Sequence, residues 1–268
     1  MKSKIFLFVC MLLLIAPSIQ TNAREQKNDP TSDLPEQAGV YDVPEHPGLK
    51  LRVFVYHAKT DSRGKPGPAA PKRICGPTIT LDPDSRSVVL PAGWKLPANW
   101  EYNLNPSSLP GNIGTKDLVT IAANSIKTWQ LQTNGTITVN RGSDTLTTKA
   151  SRDFKNIIAW GRTSGTALAV SYIWYQNGVA QEIDTIFNKN FSWYWSDPSQ
   201  WPNGQTCAYS GVYDAQNILT HELGHTFGLD DMKTSNYADN TMYGYGSKEE
   251  TKKNTLTSGD IAGMETIY

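Results

Sequence analysis

Two histidines four residues apart bracket a glutamate in the run His221-Glu222-Leu223-Gly224-His225-Thr226-Phe227-Gly228-Leu229-Asp230-Asp231. On an α-helix, residues four apart lie one turn apart on the same face. A helix over residues 214 to 227, capped by Asp214, therefore aims both imidazoles at one point. Neutral imidazole is a good zinc ligand. Glu222 projects to the side, where it can take a proton from a metal-bound water without being a ligand. A catalytic zinc usually has three protein ligands and an open position. Gly228, just past the helix, can adopt positive φ and turn the chain back. Asp231 is then placed to supply the third ligand. Asp230 is the alternative donor, and spacing favours Asp231. By average residue usage, His-Glu-x-x-His arises by chance in a chain this long about once in a hundred. The added Gly and acid lower those odds by roughly two more orders of magnitude.

The chain has 268 residues, room for one large domain or for a domain with an extension. Lys2 and Lys4 precede an apolar run from Ile5 to Ala16, then Pro17 and a polar stretch ending at Ala23. That is the pattern of a signal peptide over residues 1–23, with the mature protein secreted. The apolar run is short for a membrane span, and no second one follows. No membrane association is expected after leader cleavage. Residues 24–95 read as an N-terminal extension or pro-segment. Its first part, to about residue 49, is polar and Pro-rich and reads as a linker, followed by a strand over 51–56 and a loop over 59–72. Residues 96–268 read as the main domain. Strands are predicted at 100–105, 136–140, 157–160, 167–175 and 182–188. Helices are predicted at 115–130, capped by Thr115, at 214–227, and from Thr257 or Ser258 onward. This order gives an α+β fold, with an α/β-type upper sheet carrying the helix of the two histidines.

Lys+Arg and Asp+Glu balance at 25 each, which argues against a nucleic-acid partner. No Gly-rich phosphate loop is present. Eight Trp and twelve Tyr suit a core or an extended groove, the core being the commoner use. Beyond the leader two cysteines remain, Cys75 and Cys207. In an oxidising compartment such a pair reads first as a disulfide.

The run from His221 to Asp231 resembles the metzincin signature of zinc peptidases, with Asp in the last ligand position as in snapalysin-like and some bacterial matrixin-like members. Asn240-Thr241-Met242-Tyr243-Gly244-Tyr245 resembles the matrixin Met-turn, although Gly244 stands where many matrixins have Pro. Met242 would then lie beneath the metal, and its plainer reading is an ordinary core residue. Residues 256–268 (LTSGDIAGMETIY) resemble the matrixin C-terminal helix. Residues 182–188 look like the edge strand against which substrates pair, through Ile183, Thr185 and Phe187. The likeness covers about residues 95 to 268. It implies a zinc endopeptidase, expected to be monomeric, with one catalytic Zn2+, protein or peptide substrates and Glu222 as general base. With four His in the whole chain, the second, histidine-built zinc of many matrixins cannot be present in the same form. Ca2+ held by carbonyl and acid oxygens is compatible, though nothing resembles an EF-hand loop.

Arg73-Ile74-Cys75-Gly76-Pro77 also resembles, imperfectly, the matrixin cysteine switch. Cys75 is therefore either such a switch or the partner of Cys207. Two other functions fit the same residues: a non-hydrolytic secreted zinc-binding module on a peptidase scaffold, and a zinc hydrolase of a non-protein amide. The intact Glu222 argues against the first, since a pure binder has no use for a base.

Overall fold

The computed structural model describes residues 34–59, 71–77 and 83–268. The predicted leader and the loop at 60–70 lie outside the described residues. Asp33–Tyr268 forms one compact unit. In chain order its strands are β1 (Gly39–Asp42), β2 (Leu49–Ala58), β3 (Arg73–Pro77) and β4 (Asn99–Leu104). Helix α1 (Thr115–Gln130) follows, then β5 (Thr138–Arg141), β6 (Ile157–Gly161), β7 (Ala167–Gln176) and β8 (Val179–Asn188). Short strands β9 (Trp193–Tyr194), β10 (Gln205–Tyr209) and β11 (Tyr213–Asp214) lead into α2 (Ala215–Thr226). The chain ends with β12 (Tyr245–Gly246) and α3 (Ser258–Glu265).

Eight strands form one mixed sheet in the order β1-β2-β7-β8-β6-β4-β5, with β12 pairing β2. The α+β class read from the sequence is the one observed. β4, β5, β6 and β8 run parallel, whereas β7 is antiparallel to both β8 and β2. The helices cover one face. On α1 the buried residues Leu118, Ile121, Ala122, Ser125, Ile126 and Trp129 recur with helical spacing and pack toward α2. Gly114 caps α1, where Thr115 was expected, because the Asp117 carboxylate reaches back to the Gly114 amide at 3.0 Å. A second apolar layer on the opposite face joins Leu49, Leu51, Val53 and Val55 of β2 to Ala167, Val170 and Trp174 of β7. Strand β2 is thus buried on both faces, since Phe54 and Tyr56 belong to the helix-side core.

Two expectations need correction. The segment read as a linker contains β1, whose residues pair with β2 over Gly39–Asp42. The residues 182–188 do not form an edge strand. β8 pairs with β6 on one side and β7 on the other, so Ile183, Thr185 and Phe187 are interior and have no open backbone to offer a substrate. The acids in this strand mimic a solvent-facing alternation. In fact Glu182 and Asp184 are buried and accept the backbone N–H groups of Ser151, Asp153 and Ile157 from the preceding loop. These bonds offset part of the cost of burying the two carboxylates, with Glu182 Oε2 left without a partner.

Candidate metal centre

All twelve residues of α2 are buried, although seven of them are polar. Each buried polar group therefore needs a partner. Asp214 caps the helix by accepting from the Asn217 amide at 2.8 Å. Gln216 accepts from the indole of Trp195, Asn217 accepts from the Lys253 amide, and the Thr220 hydroxyl donates to the Gln216 carbonyl. Among the polar residues that this leaves are His221, Glu222 and His225.

The two imidazoles are held by the same device. His221 Nδ1 lies 2.7 Å from the Thr241 carbonyl, and His225 Nδ1 lies 2.9 Å from the Leu229 carbonyl. A ring that donates its Nδ1–H to a carbonyl leaves the Nε2 lone pair outward, the orientation a metal requires. Gly228, with φ of 100°, makes the turn that returns the Leu229 carbonyl and the acids that follow it toward the helix. A β-carbon there would fall 2.2 Å from the Trp94 carbonyl oxygen, so only glycine fits. Asp231 Oδ1 then lies 3.4 Å from Nε2 of both His221 and His225. The three donors offer one ligand atom each, all within 4.8 Å of one another. Asp230 points elsewhere, pairing with Arg52 at 3.1 Å.

The donor set fits a divalent cation. His221 Nε2, Asp231 Oδ1 and Glu222 Oε1 are buried without a hydrogen-bond partner. Such orphaned acceptors are costly unless something positive meets them. Burial pushes the pKa of His221 down to about 4, against the pull of Asp231, so the ring is neutral and able to ligate. Burial also opposes charge on His225 and Asp231, but their mutual attraction wins. The pKa of His225 is raised from its ordinary value and that of Asp231 is well lowered. The field that holds a proton on His225 would hold a metal dication more strongly.

Glu222 is fully buried, with Oε2 accepting from the Ser171 hydroxyl at 2.6 Å. Burial raises its pKa to about 7, a rise that His225 and Ser171 partly offset. Ser171 in turn contacts Thr185 at 2.9 Å. Sequence reasoning missed Ser171, since one serine in an apolar strand carries no spacing signal. Thr185, expected at a substrate edge, instead supports this pair from inside the sheet. Met242 is wholly buried beneath the helix, against Gly224. Lys253, also missed, is buried with its ammonium donating to the Tyr243 and Tyr245 carbonyls. Cys75 and Cys207 sit opposite one another on β3 and β10 and are joined by a disulfide. The Cys75 thiol is therefore not free to act as a switch.

The matrixin family model matches residues 103–268, more than half of the chain, and the chain belongs to that family. A search of curated proteins finds no match. Membership supports a metallopeptidase that uses zinc and acts on proteins or peptides. Among the described residues, no helix is long and apolar enough to cross a membrane.

Proposed function

We propose that the chain is a secreted, monomeric zinc-dependent endopeptidase in which His221, His225 and Asp231 hold the metal and Glu222 is the general base. The observation that carries this reading is the set of buried, unpartnered acceptors on His221, Glu222 and Asp231, beside two imidazoles oriented through Nδ1. When bound, zinc would acidify a water and polarise the substrate carbonyl. Glu222 has one oxygen fixed by Ser171 and the other free, so it is poised to take a proton at Oε1. Its elevated proton affinity lets it hold that proton and return it to the leaving amine. The burial of the site excludes bulk water and strengthens these interactions. Export through the leader at residues 1–23 accords with the Cys75–Cys207 disulfide, a bond typical of oxidising compartments. Residues 24–95 are the extension preceding the catalytic domain at 96–268.

The test pairs zinc content, measured by mass spectrometry of the metal, with casein hydrolysis. It uses the intact chain and the strand-released variant described below. One zinc per chain is expected, with hydrolysis abolished by phenanthroline. Glu222→Gln should keep zinc and lose hydrolysis. Hydrolysis that survives Glu222→Gln or metal removal would falsify the assignment. Zinc binding without hydrolysis in the released variant would favour the non-hydrolytic module instead.

A further inference from the structure

The site is closed by a piece of its own chain. Strand β2 pairs with β7 along one side and, on the other, with β1 at Lys50–Val53 and with β12 at His57 and Ala58. Its helix-facing side chains land on the metal-centre residues. The Phe54 ring stacks on His225 with centroids 3.7 Å apart and planes 8° from parallel, and the Tyr56 ring lies 4.1 Å from His221. Phe54 is the cross-strand neighbour of Ser171, which holds Glu222. Two more contacts fasten the strand. Arg52 pairs with Asp230 beside Asp231, and the Tyr56 ring packs so near Gly246 that a β-carbon there would fall 2.8 Å from it. With β2 in place, His221 and Glu222 are 0% exposed and His225 1%. In this arrangement the side chains of His221, Glu222 and His225 are closed to solvent.

The strand is not part of the matched family domain, although β12 of that domain pairs with its end. The family match begins at residue 103, so β1 and β2 lie outside it. They are the last two strands of the sheet on their side, and β1 pairs only with β2. Their departure leaves β7-β8-β6-β4-β5 contiguous and exposes the free backbone edge of β7 above the site. An extended peptide can add to such an edge by main-chain hydrogen bonding.

From this arrangement, and resting on the peptidase reading above, we infer that residues 49–58 are an autoinhibitory strand that occupies the substrate edge of β7 and seals the site with Phe54 and Tyr56. Latency then depends on strand addition and aromatic packing, and the disulfide-bonded Cys75 has no part in it. Activation is release of β2, with no bond to the metal to be broken by a thiol reagent.

The experiment compares the full-length chain with its Phe54→Ala/Tyr56→Ala variant, both loaded with zinc. Three readouts are taken: amide hydrogen exchange over residues 49–58, binding of a fluorescein-labelled peptide hydroxamate, and casein hydrolysis. The wild type should show β2 amides protected at least 100-fold over the free peptide, and no hydroxamate binding. The variant should bind the hydroxamate and hydrolyse casein at least 10-fold faster, and a synthetic peptide of residues 49–58 should reverse both. Wild-type protein that binds hydroxamate as readily as the variant, or whose β2 amides exchange at free-peptide rates, overturns the inference. Those wild-type measurements stand even where the variant loses its near-ultraviolet circular dichroism. A variant that binds hydroxamate reversibly but never hydrolyses casein leaves the strand's role intact and removes the peptidase reading.

Discussion

Met242 packs so tightly on the backbone of Gly224 that a β-carbon on the glycine would fall 2.1 Å from its sulfur and 2.8 Å from the Trp129 ring. The glycine in α2 is thus a packing requirement set by the turn beneath it. Gly224→Ala should destabilise the fold by about 1–3 kcal/mol through overpacking, even though Ala favours the helix by about 1 kcal/mol. For a domain of this size that is roughly a 3–8 °C fall in Tm. Met242→Ala empties the space that the new methyl needs. The double variant should therefore be more stable than the sum of the two single losses predicts. Strict additivity in thermal unfolding would show that the two residues are not in contact.

Ser171 acts on Glu222 through a 2.6 Å hydrogen bond and touches no metal ligand atom described above. It is a positioning residue. Partners of this kind typically contribute about 10–100-fold. Ser171→Ala should lower kcat of the released enzyme by about 10-fold while leaving KM and zinc content unchanged. Ser171→Thr, which keeps a hydroxyl, should recover part of the rate. A change in KM alone would assign Ser171 to substrate binding.

The disulfide closes a sequence separation of 132 residues between Cys75 and Cys207. Loss of a native bridge typically costs about 2–5 kcal/mol. Cys75→Ser/Cys207→Ser should therefore lower Tm by roughly 5–15 °C. It should not raise casein hydrolysis by the intact chain, because Cys75 does not seal the site. Iodoacetamide should label neither cysteine without prior reduction, as read by peptide mass mapping. Activation on reduction, with no fall in Tm, would reinstate the thiol switch.

The legible parts of this protein were those governed by local rules. The spacing of His221 and His225, the glycine turn at Gly228 and the period of α1 each follow from one element's geometry, and the structure keeps all three. The failures concern strand order. Nothing in residues 182–188 says which strands flank them, and burial of Glu182 and Asp184 against a loop backbone mimics exposure. Likewise Phe54 and Tyr56 alternate as in any half-buried strand. That their face meets His225 and His221 depends on β2 pairing with β7 across more than a hundred residues of sequence. Long-range pairing of this kind leaves no periodic trace.

Asp214 gives a pH dependence that can be isolated. It caps α2 and also accepts from the Ser196 amide at 2.7 Å, yet its burial outweighs these bonds and raises its pKa to about 7. In the unfolded chain an Asp titrates near 3.9. Between those values the folded state binds more protons than the unfolded one. Stability from this group is therefore fully present below about pH 4 and is lost as pH rises toward 7. Asn caps a helix about as well as Asp and does not titrate. Asp214→Asn loses the Ser196 contact, a constant offset at every pH. Superimposed on it, denaturant unfolding should show wild type falling relative to the variant by on the order of 1 kcal/mol per pH unit between pH 4 and 7. Above pH 8 the difference should be flat. A gap between the two proteins that widens in the opposite direction would mean that the two backbone N–H groups dominate and that Asp214 is buried as the anion.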